Sequence, residues 1–440
     1  MKMAAVEAIP GQAPPVTATT RNVAAALIGN ALEFYDFTTF AFFAVQIGRT
    51  FFPGKSAFTT LILTLITFGV GYISRPIGAV VIGAYGDRAG RRPAMMLSFT
   101  LMCAGVLAMA LTPSYAQIGV AAPILVLAFR LVQGFALGGE VGPTTAFLIE
   151  VAPAARRGFF GTWQYASQCG SSLVAGLIGL ALAKAMSPDS LDSWGWRVPF
   201  LIGAAALPLG WYIRNRVPET LAPEERGTKP TGAEAADYRR ALLLSLPMLG
   251  STTICFATFN YMTTYAVAIL HMPQAAAFGA TIAWGGAGLV FNLMGGALSD
   301  RFGRKALMIW PRLGFLALIV PGFMWIVAAR TGGVLFGVTI VLTVLSSLSN
   351  GVSMVCLTEA IPKPIRSASL AVIYAVAIAI FSGTAQLVET WMIRATGDIL
   401  SPAYYLAGAT AVGLVAMLAM RETAPARLRA MDAAPSPRPG

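Results

Sequence analysis

The chain has 440 residues, 56% of them apolar and only 11% charged, against about a quarter in an ordinary soluble domain. A water-soluble fold of this size exposes a large surface, and this composition leaves too little polar material to cover it, so a soluble globular protein is excluded. The net charge of +12 would suggest nucleic acid in a soluble protein, but here the charges stand in short loops between long apolar runs, and a lipid bilayer is the partner that pattern implies.

In chain order, residues 1–21 are rich in Ala, Pro and Thr, lack a long apolar run before a cleavage site, and read as a disordered tail. Twelve apolar stretches long enough to cross a bilayer follow, at 22–47, 58–85, 93–112, 117–148, 159–183, 197–216, 241–270, 276–298, 305–328, 334–358, 367–393 and 402–420; they are called spans 1 to 12 below. The long polar stretch 217–240, with Pro218, Pro223, Gly227 and Pro230, separates six spans from six. Residues 421–440 read as a second tail. The expected organisation is an all-α membrane protein with a first six-helix bundle (22–216), a linker (217–240) and a second six-helix bundle (241–420).

Lys and Arg mark the cytoplasmic side of a membrane protein. With the N-terminus inside, the cytoplasmic segments hold 22 of the 31 Lys and Arg residues and the outer loops six; Arg75, Arg130 and Arg312 fall within spans. Both termini and the linker are therefore expected in the cytoplasm. Cys103, Cys169, Cys255 and Cys356 lie in apolar runs, with no CxxC spacing and a single histidine, His271, so neither a disulfide framework nor a metal site is expected. No phosphate-binding GxxxxGK[ST] loop and no catalytic triad occurs, and no cofactor is expected.

The chain repeats itself. Gly86-Asp87-Arg88-Ala89-Gly90-Arg91-Arg92 follows span 2, and Ser299-Asp300-Arg301-Phe302-Gly303-Arg304-Lys305 follows span 8, 213 residues later. Glu150, Pro153 and Arg157 after span 4 recur as Glu359, Pro362 and Arg366 after span 10, 209 residues later. Two motifs at nearly one offset make the bundles parallel repeats. Gly90 and Gly303 permit tight turns between antiparallel helices, and Asp87 and Asp300 are placed to face helix N-termini. Asp87, Arg88, Arg91, Glu150, Asp300, Arg301, Arg304 and Glu359 are expected to hold one conformation shut at the cytoplasmic face; the alternative is that these charges only set topology.

Taken with the twelve spans, the loop Gly86–Arg92 resembles the signature loop of the major facilitator superfamily. Gly29-Asn30-Ala31-Leu32-Glu33-Phe34-Tyr35-Asp36-Phe37 in span 1, Arg75-Pro76-Ile77-Gly78-Ala79 in span 2 and Arg130–Glu140 in span 4 resemble its metabolite:proton symporters. Phe51-Phe52-Pro53, Gly83-Ala84-Tyr85, Trp163–Gln168 and Trp194-Gly195-Trp196-Arg197 are most similar to the citrate and tricarballylate carriers of that branch. The resemblance covers nearly all of residues 22–420. It implies a monomeric, proton-coupled carrier of a small organic acid anion in the bacterial cytoplasmic membrane, most like a tricarboxylate symporter, and not an enzyme.

Ionisable groups inside spans cost several kcal/mol when unpaired, roughly 2.5–3.5 on insertion scales, so each is a functional candidate. Glu33 and Asp36 stand near mid-depth on one helix face, where repulsion and desolvation favour proton uptake. Arg130, also near mid-depth, offers a fork for a substrate carboxylate and, when empty, for Glu33 or Asp36; a permanent salt bridge is the alternative. Gln133 shares its face. Arg75 lies deeper toward the cytoplasm, as a substrate contact or a structural group. Tyr35, Gln164 and Gln168 from the first bundle and Asn260, Tyr261, Asn292 and Asn350 from the second complete the expected substrate site, each with interhelical packing as its alternative. Arg312 is read as snorkelling to the interface, Glu389 and Gln386 as a solvated rim near the outer end of span 11, and Trp194 and Trp196 as interfacial anchors.

Overall fold

A computed structural model describes residues 20–54, 56–89, 91–138, 141–214, 233–425 and 427. The tail before Thr20, much of the linker and nearly all of the chain beyond Pro425 lie outside it, as do some side chains within these ranges, among them Asp87, Arg88 and Arg91. The secondary structure of the described residues is helical throughout, with no strand.

Each expected span is met by helix. Span 1 runs through Thr20–Phe42 and Ala44–Phe51, span 2 through Ala57–Ile73 and Arg75–Ala89, and span 4 through Ala121–Leu137 and Val141–Glu150. Spans 3, 5 and 6 are Arg91–Leu111, Arg157–Ala185 and Arg197–Arg214. Span 7 is Ala233–Thr264, and spans 8, 9 and 10 are Gln274–Phe302, Arg304–Ala329 and Gly332–Ala360. Span 11 is Lys363–Ala377 and Gly383–Thr396 joined by a wider turn at Ile378–Ser382, and span 12 is Ser401–Ala419. Among the described residues eight helices are long and apolar enough to cross a membrane unaided; spans 1, 3, 4 and 6 are not among them. Span 1 carries Asn30, Glu33 and Asp36 and span 4 carries Arg130 and Gln133, so part of the shortfall comes from polar residues held inside the bundle. Outward-turned apolar residues such as Leu243, Trp310 and Val415 give the bundle the exterior that lipid requires.

The turn between spans 8 and 9 shows why its glycine is needed. Gly303 sits at φ 100°, where a side chain would be strained, and lets the chain reverse within one residue. Glu422 then accepts the N–H groups of Arg304 (2.8 Å) and Lys305 (3.1 Å) at the start of span 9. The expected disordered tail from 421 is thus folded onto the bundle at its first residues.

The first six spans meet the last six along two seams of small residues. Along spans 5 and 8, a methyl group at Gly285, Gly288 or Gly296 would collide with Leu173, Cys169 or Thr162. Along spans 2 and 11, a methyl at Gly69 would lie 2.6 Å from the Gly383 carbonyl oxygen. On the face expected to be outer, the Phe43 and Phe278 rings stand 5.3 Å apart and the Thr264 hydroxyl donates to the Ala41 carbonyl at 3.3 Å. On the opposite face, Arg366 meets Glu150 at 3.5 Å. The two sets of spans therefore touch at both ends of the molecule.

Candidate functional site

The centre of the bundle is built by close approach of spans 2 and 4. A methyl at Gly134 would collide with the Gly71 carbonyl, one at Gly78 with the Phe135 carbonyl, and one at Gly138 with the Arg75 carbonyl. The Ser74 hydroxyl donates to the Leu131 carbonyl at 2.9 Å and seals the contact. This backbone proximity carries the roots of Arg75 and Arg130 side by side toward span 1.

Both arginines rest on aromatic rings of span 1. The Arg130 guanidinium lies 4.1 Å from the Phe37 ring centre and 4.4 Å from that of Phe40. Arg75 lies 4.4 Å from the same Phe37 ring and 4.3 Å from Tyr72. Phe37 is thus shared by two cations, and ring faces partly replace the water they have lost. Sequence reading missed this shelf, although Glu33, Phe37 and Phe40 fall at i, i+4 and i+7 on one helix face.

Arg130 is fully buried, and its Nη1 donates to Asp36 Oδ2 at 3.2 Å and to Gln133 Oε1 at 2.8 Å. Nε and Nη2 of Arg130, Oδ1 of Asp36 and Nε2 of Gln133 have no hydrogen-bond partner among the described residues. The pair is real but incomplete: one contact of a possible two, with donors left over. Glu33 is buried on the same helix, within electrostatic reach of Arg75.

Beside this cluster lies a small cavity of about 10 Å³, room for about one water molecule, lined by Phe34, Tyr72, Tyr165, Gln168 and Tyr374, with Thr253, Phe256, Ile378 and Ser382 closing it from spans 7 and 11. The wider turn of span 11 ends there, at Ser382. Gln168 faces Tyr374 and keeps an unpartnered Nε2. Two other expected contacts point elsewhere. Tyr35 donates to the Pro199 carbonyl at 2.9 Å, because one residue along a helix from Asp36 is a rotation of about 100° toward span 6. Gln164 Nε2 is used at 2.8 Å by Asn30 Oδ1, in a clasp between spans 1 and 5.

The last six spans correct several expectations. Arg312 does not snorkel: it is fully buried, donates from Nη1 to Asn350 Oδ1 at 2.6 Å and from Nη2 to the Ser251 hydroxyl, and leaves Nε unpartnered. The second bundle therefore supplies a buried cation, not neutral groups alone. Glu389 is no rim residue either; it and Gln386 are buried, and Glu389 accepts a hydrogen bond from Thr258. Tyr261 belongs to that neighbourhood, accepting from Thr390 at 2.7 Å, and is absent from the cavity wall. Asn292 and Asn260 donate to carbonyls of their own helices, Gly288 at 2.7 Å and Phe256 at 2.9 Å. Trp196 is buried, with its indole N–H on Thr50 at 3.0 Å, while Trp194 is exposed; only the latter can act as an interfacial anchor.

At the face expected to be cytoplasmic, Asp300 accepts the N–H groups of Gly158 (2.8 Å) and Phe159 (3.0 Å) at the start of span 5, joining the two sets of spans. Arg304 binds Asp300 and Ser299 at 2.8 Å each and Glu359 at 3.0 and 3.2 Å. Arg301 is exposed against Phe302. The side chains of Asp87, Arg88 and Arg91 lie outside the described residues.

Residues 26–386 match the sequence profile of the Major Facilitator Superfamily. A citrate–proton symporter of Salmonella typhi is 37% identical over 88% of this chain and 91% of its own length. A proline/betaine transporter of Salmonella typhimurium is 31% identical over 91% of this chain and 83% of its own. The solved xylose transporter of E. coli, in a partially occluded inward open conformation, superposes with a TM-score of 0.71 at 18% identity over 92% of this chain and 98% of its own, a likeness of fold. Helices, buried mid-bundle charges and sequence agree: this multi-pass membrane protein belongs to the Major Facilitator Superfamily, a family of transporters and not of enzymes.

Proposed function

We propose that the chain is a proton-coupled symporter importing a tricarboxylate such as citrate or tricarballylate across the bacterial cytoplasmic membrane. It works as a monomer with both termini in the cytoplasm, its bundles 22–216 and 241–420, joined by the 217–240 linker, rocking around a site at mid-membrane. The observation that carries this reading is the buried, half-satisfied Arg130–Asp36 pair. Protonating Asp36 removes the charge that holds Arg130, and the guanidinium is then open to a substrate carboxylate; substrate arrival in turn favours the protonated acid. Glu33, within electrostatic reach of Arg75, is the second candidate for the proton. The identity with citrate–proton symporters supports the substrate class. A trianion entering against an inside-negative potential meets about 2.3 kcal/mol per charge per 100 mV, so at least three protons, or an already protonated acid, accompany it.

The aromatic wall of the cavity supports a second reading, a betaine-type zwitterion, because ring faces suit quaternary ammonium. Uptake into proteoliposomes under an acid-outside gradient separates the two. Labelled citrate should accumulate and be displaced by tricarballylate but not by betaine. Accumulation of betaine with no citrate uptake selects the second reading, and substrate expulsion under that gradient refutes symport altogether.

A further inference from the structure

We propose that Arg312 is a second anion-binding guanidinium, placed by the last six spans to take one carboxylate of a polycarboxylate whose other end is held by Arg130. The inference rests on the tricarboxylate reading above and adds a residue and a bridging geometry to it.

Arg312 lies eight residues into span 9, about 12 Å along the helix from Arg304 at 1.5 Å per residue. It has no exposed surface, and no carboxylate among the described residues lies within ion-pair distance. Its contacts are neutral: Ser251, Asn350, the nearby Cys255 thiol and, at 5.5 Å, the Phe315 ring. Such dipoles orient a guanidinium without neutralising it, and a buried cation without a counterion is costly. Among the described residues the buried acids are placed elsewhere: Asp36 is on Arg130, Glu33 is within electrostatic reach of Arg75, and Glu389 is on Thr258. A charge that the fold keeps but does not pair is a place for an anion from outside.

Its position ties it to the cavity. Span 7 presents Ser251 to Arg312, Thr252 to the Tyr165 hydroxyl at 3.2 Å, and Thr253 and Phe256 to the cavity itself. Tyr165 lies between, lining the cavity and standing within electrostatic reach of Arg312. Tyr72 and Tyr374, which also line the cavity, stand within electrostatic reach of Arg75, and Tyr72 lies under its guanidinium. The cavity thus lies between a first-bundle cation cluster and a second-bundle cation. A ligand with two or more carboxylates spans them and draws the bundles together; a ligand with one does not.

The test uses the full chain in nanodiscs and tricarballylate as the probe, read by calorimetric titration and by thermal melting. Asn350→Asp is nearly isosteric and sets a carboxylate against Arg312. It should hold or raise the melting temperature while weakening tricarballylate binding at least tenfold. Arg312→Gln should weaken binding at least as much, and Arg312→Lys, which keeps the charge without the fork, by an intermediate factor. Asn350→Asp melting higher but binding tricarballylate as the natural chain does would overturn the inference, since that is the outcome for a purely structural Arg312; should Arg312→Gln not fold, the Asn350→Asp result stands on its own. Failure of the unmutated chain to bind any polycarboxylate would instead overturn the substrate reading, and this inference with it.

Discussion

Arg304 at the expected cytoplasmic face and Arg130 at the centre of the bundle are equally buried, and the fold treats them in opposite ways. All three nitrogens of Arg304 are engaged, by two carboxylates and a hydroxyl, at 2.8–3.2 Å. Arg130 has one carboxylate contact at 3.2 Å, one amide, two ring centres at 4.1 and 4.4 Å and two nitrogens without a partner among the described residues. A fully satisfied cation is a fastener, because any rearrangement loses several charge-assisted bonds at once. A cation held by one replaceable carboxylate and two ring faces can change partners at low cost, which is what exchange between a proton-carrying acid and an anion requires.

The contrast is open to direct attack. The largest effect is expected at the fastener: Arg304→Ala leaves Asp300 and Glu359 without their cation and should lower stability by roughly 3–5 kcal/mol, seen as a steep fall in the melting temperature of the purified chain. An unchanged melt would remove the distinction. Next comes the glycine contact of spans 2 and 4 that roots Arg130. Gly134→Val forces spans 2 and 4 apart, at about 1–3 kcal/mol, and should also impair transport because it displaces both arginines. Asp36→Asn should cost less stability than Arg304→Ala, about 1–2 kcal/mol, since the rings retain the cation. It should nonetheless make substrate binding insensitive to pH across roughly pH 5 to 8, and pH-dependent binding in this variant would pass the proton role to Glu33. Smallest is Tyr35→Phe, which removes one hydrogen bond to Pro199, about 1 kcal/mol, and should leave uptake within about twofold of the natural chain.

The helices were legible in the sequence because a bilayer imposes length and apolarity on most spans, with spans 1, 3, 4 and 6 falling short of the full apolar length. The sequence also announced Glu33, Asp36 and Arg130, since a charge at mid-span is conspicuous regardless of what it touches. What it concealed depended on neighbours. Arg312 and Glu389 stand nearer their helix ends, where depth alone does not distinguish a snorkelling side chain from one turned inward; the face each occupies is fixed by spans 7 and 10, distant in sequence. Tyr35 stands next to Asp36 in the chain, yet helical rotation sends neighbours to different partners. Phe37 and Phe40 were legible as the same face as Glu33, but nothing in an apolar span singles out the two rings that two arginines will share. The glycines of spans 2 and 4 were visible as a pattern, while their collision partners were not.

In the proposed cycle Arg130 changes partners between Asp36 and substrate. The most direct test of that exchange is citrate accumulation in proteoliposomes under an acid-outside gradient, comparing the natural chain with an Arg130→Gln variant shown to insert and melt normally. The natural chain should accumulate citrate, and Arg130→Gln should show none above the ungradiented baseline. Acid-driven accumulation of citrate by Arg130→Gln at the natural rate would contradict the exchange.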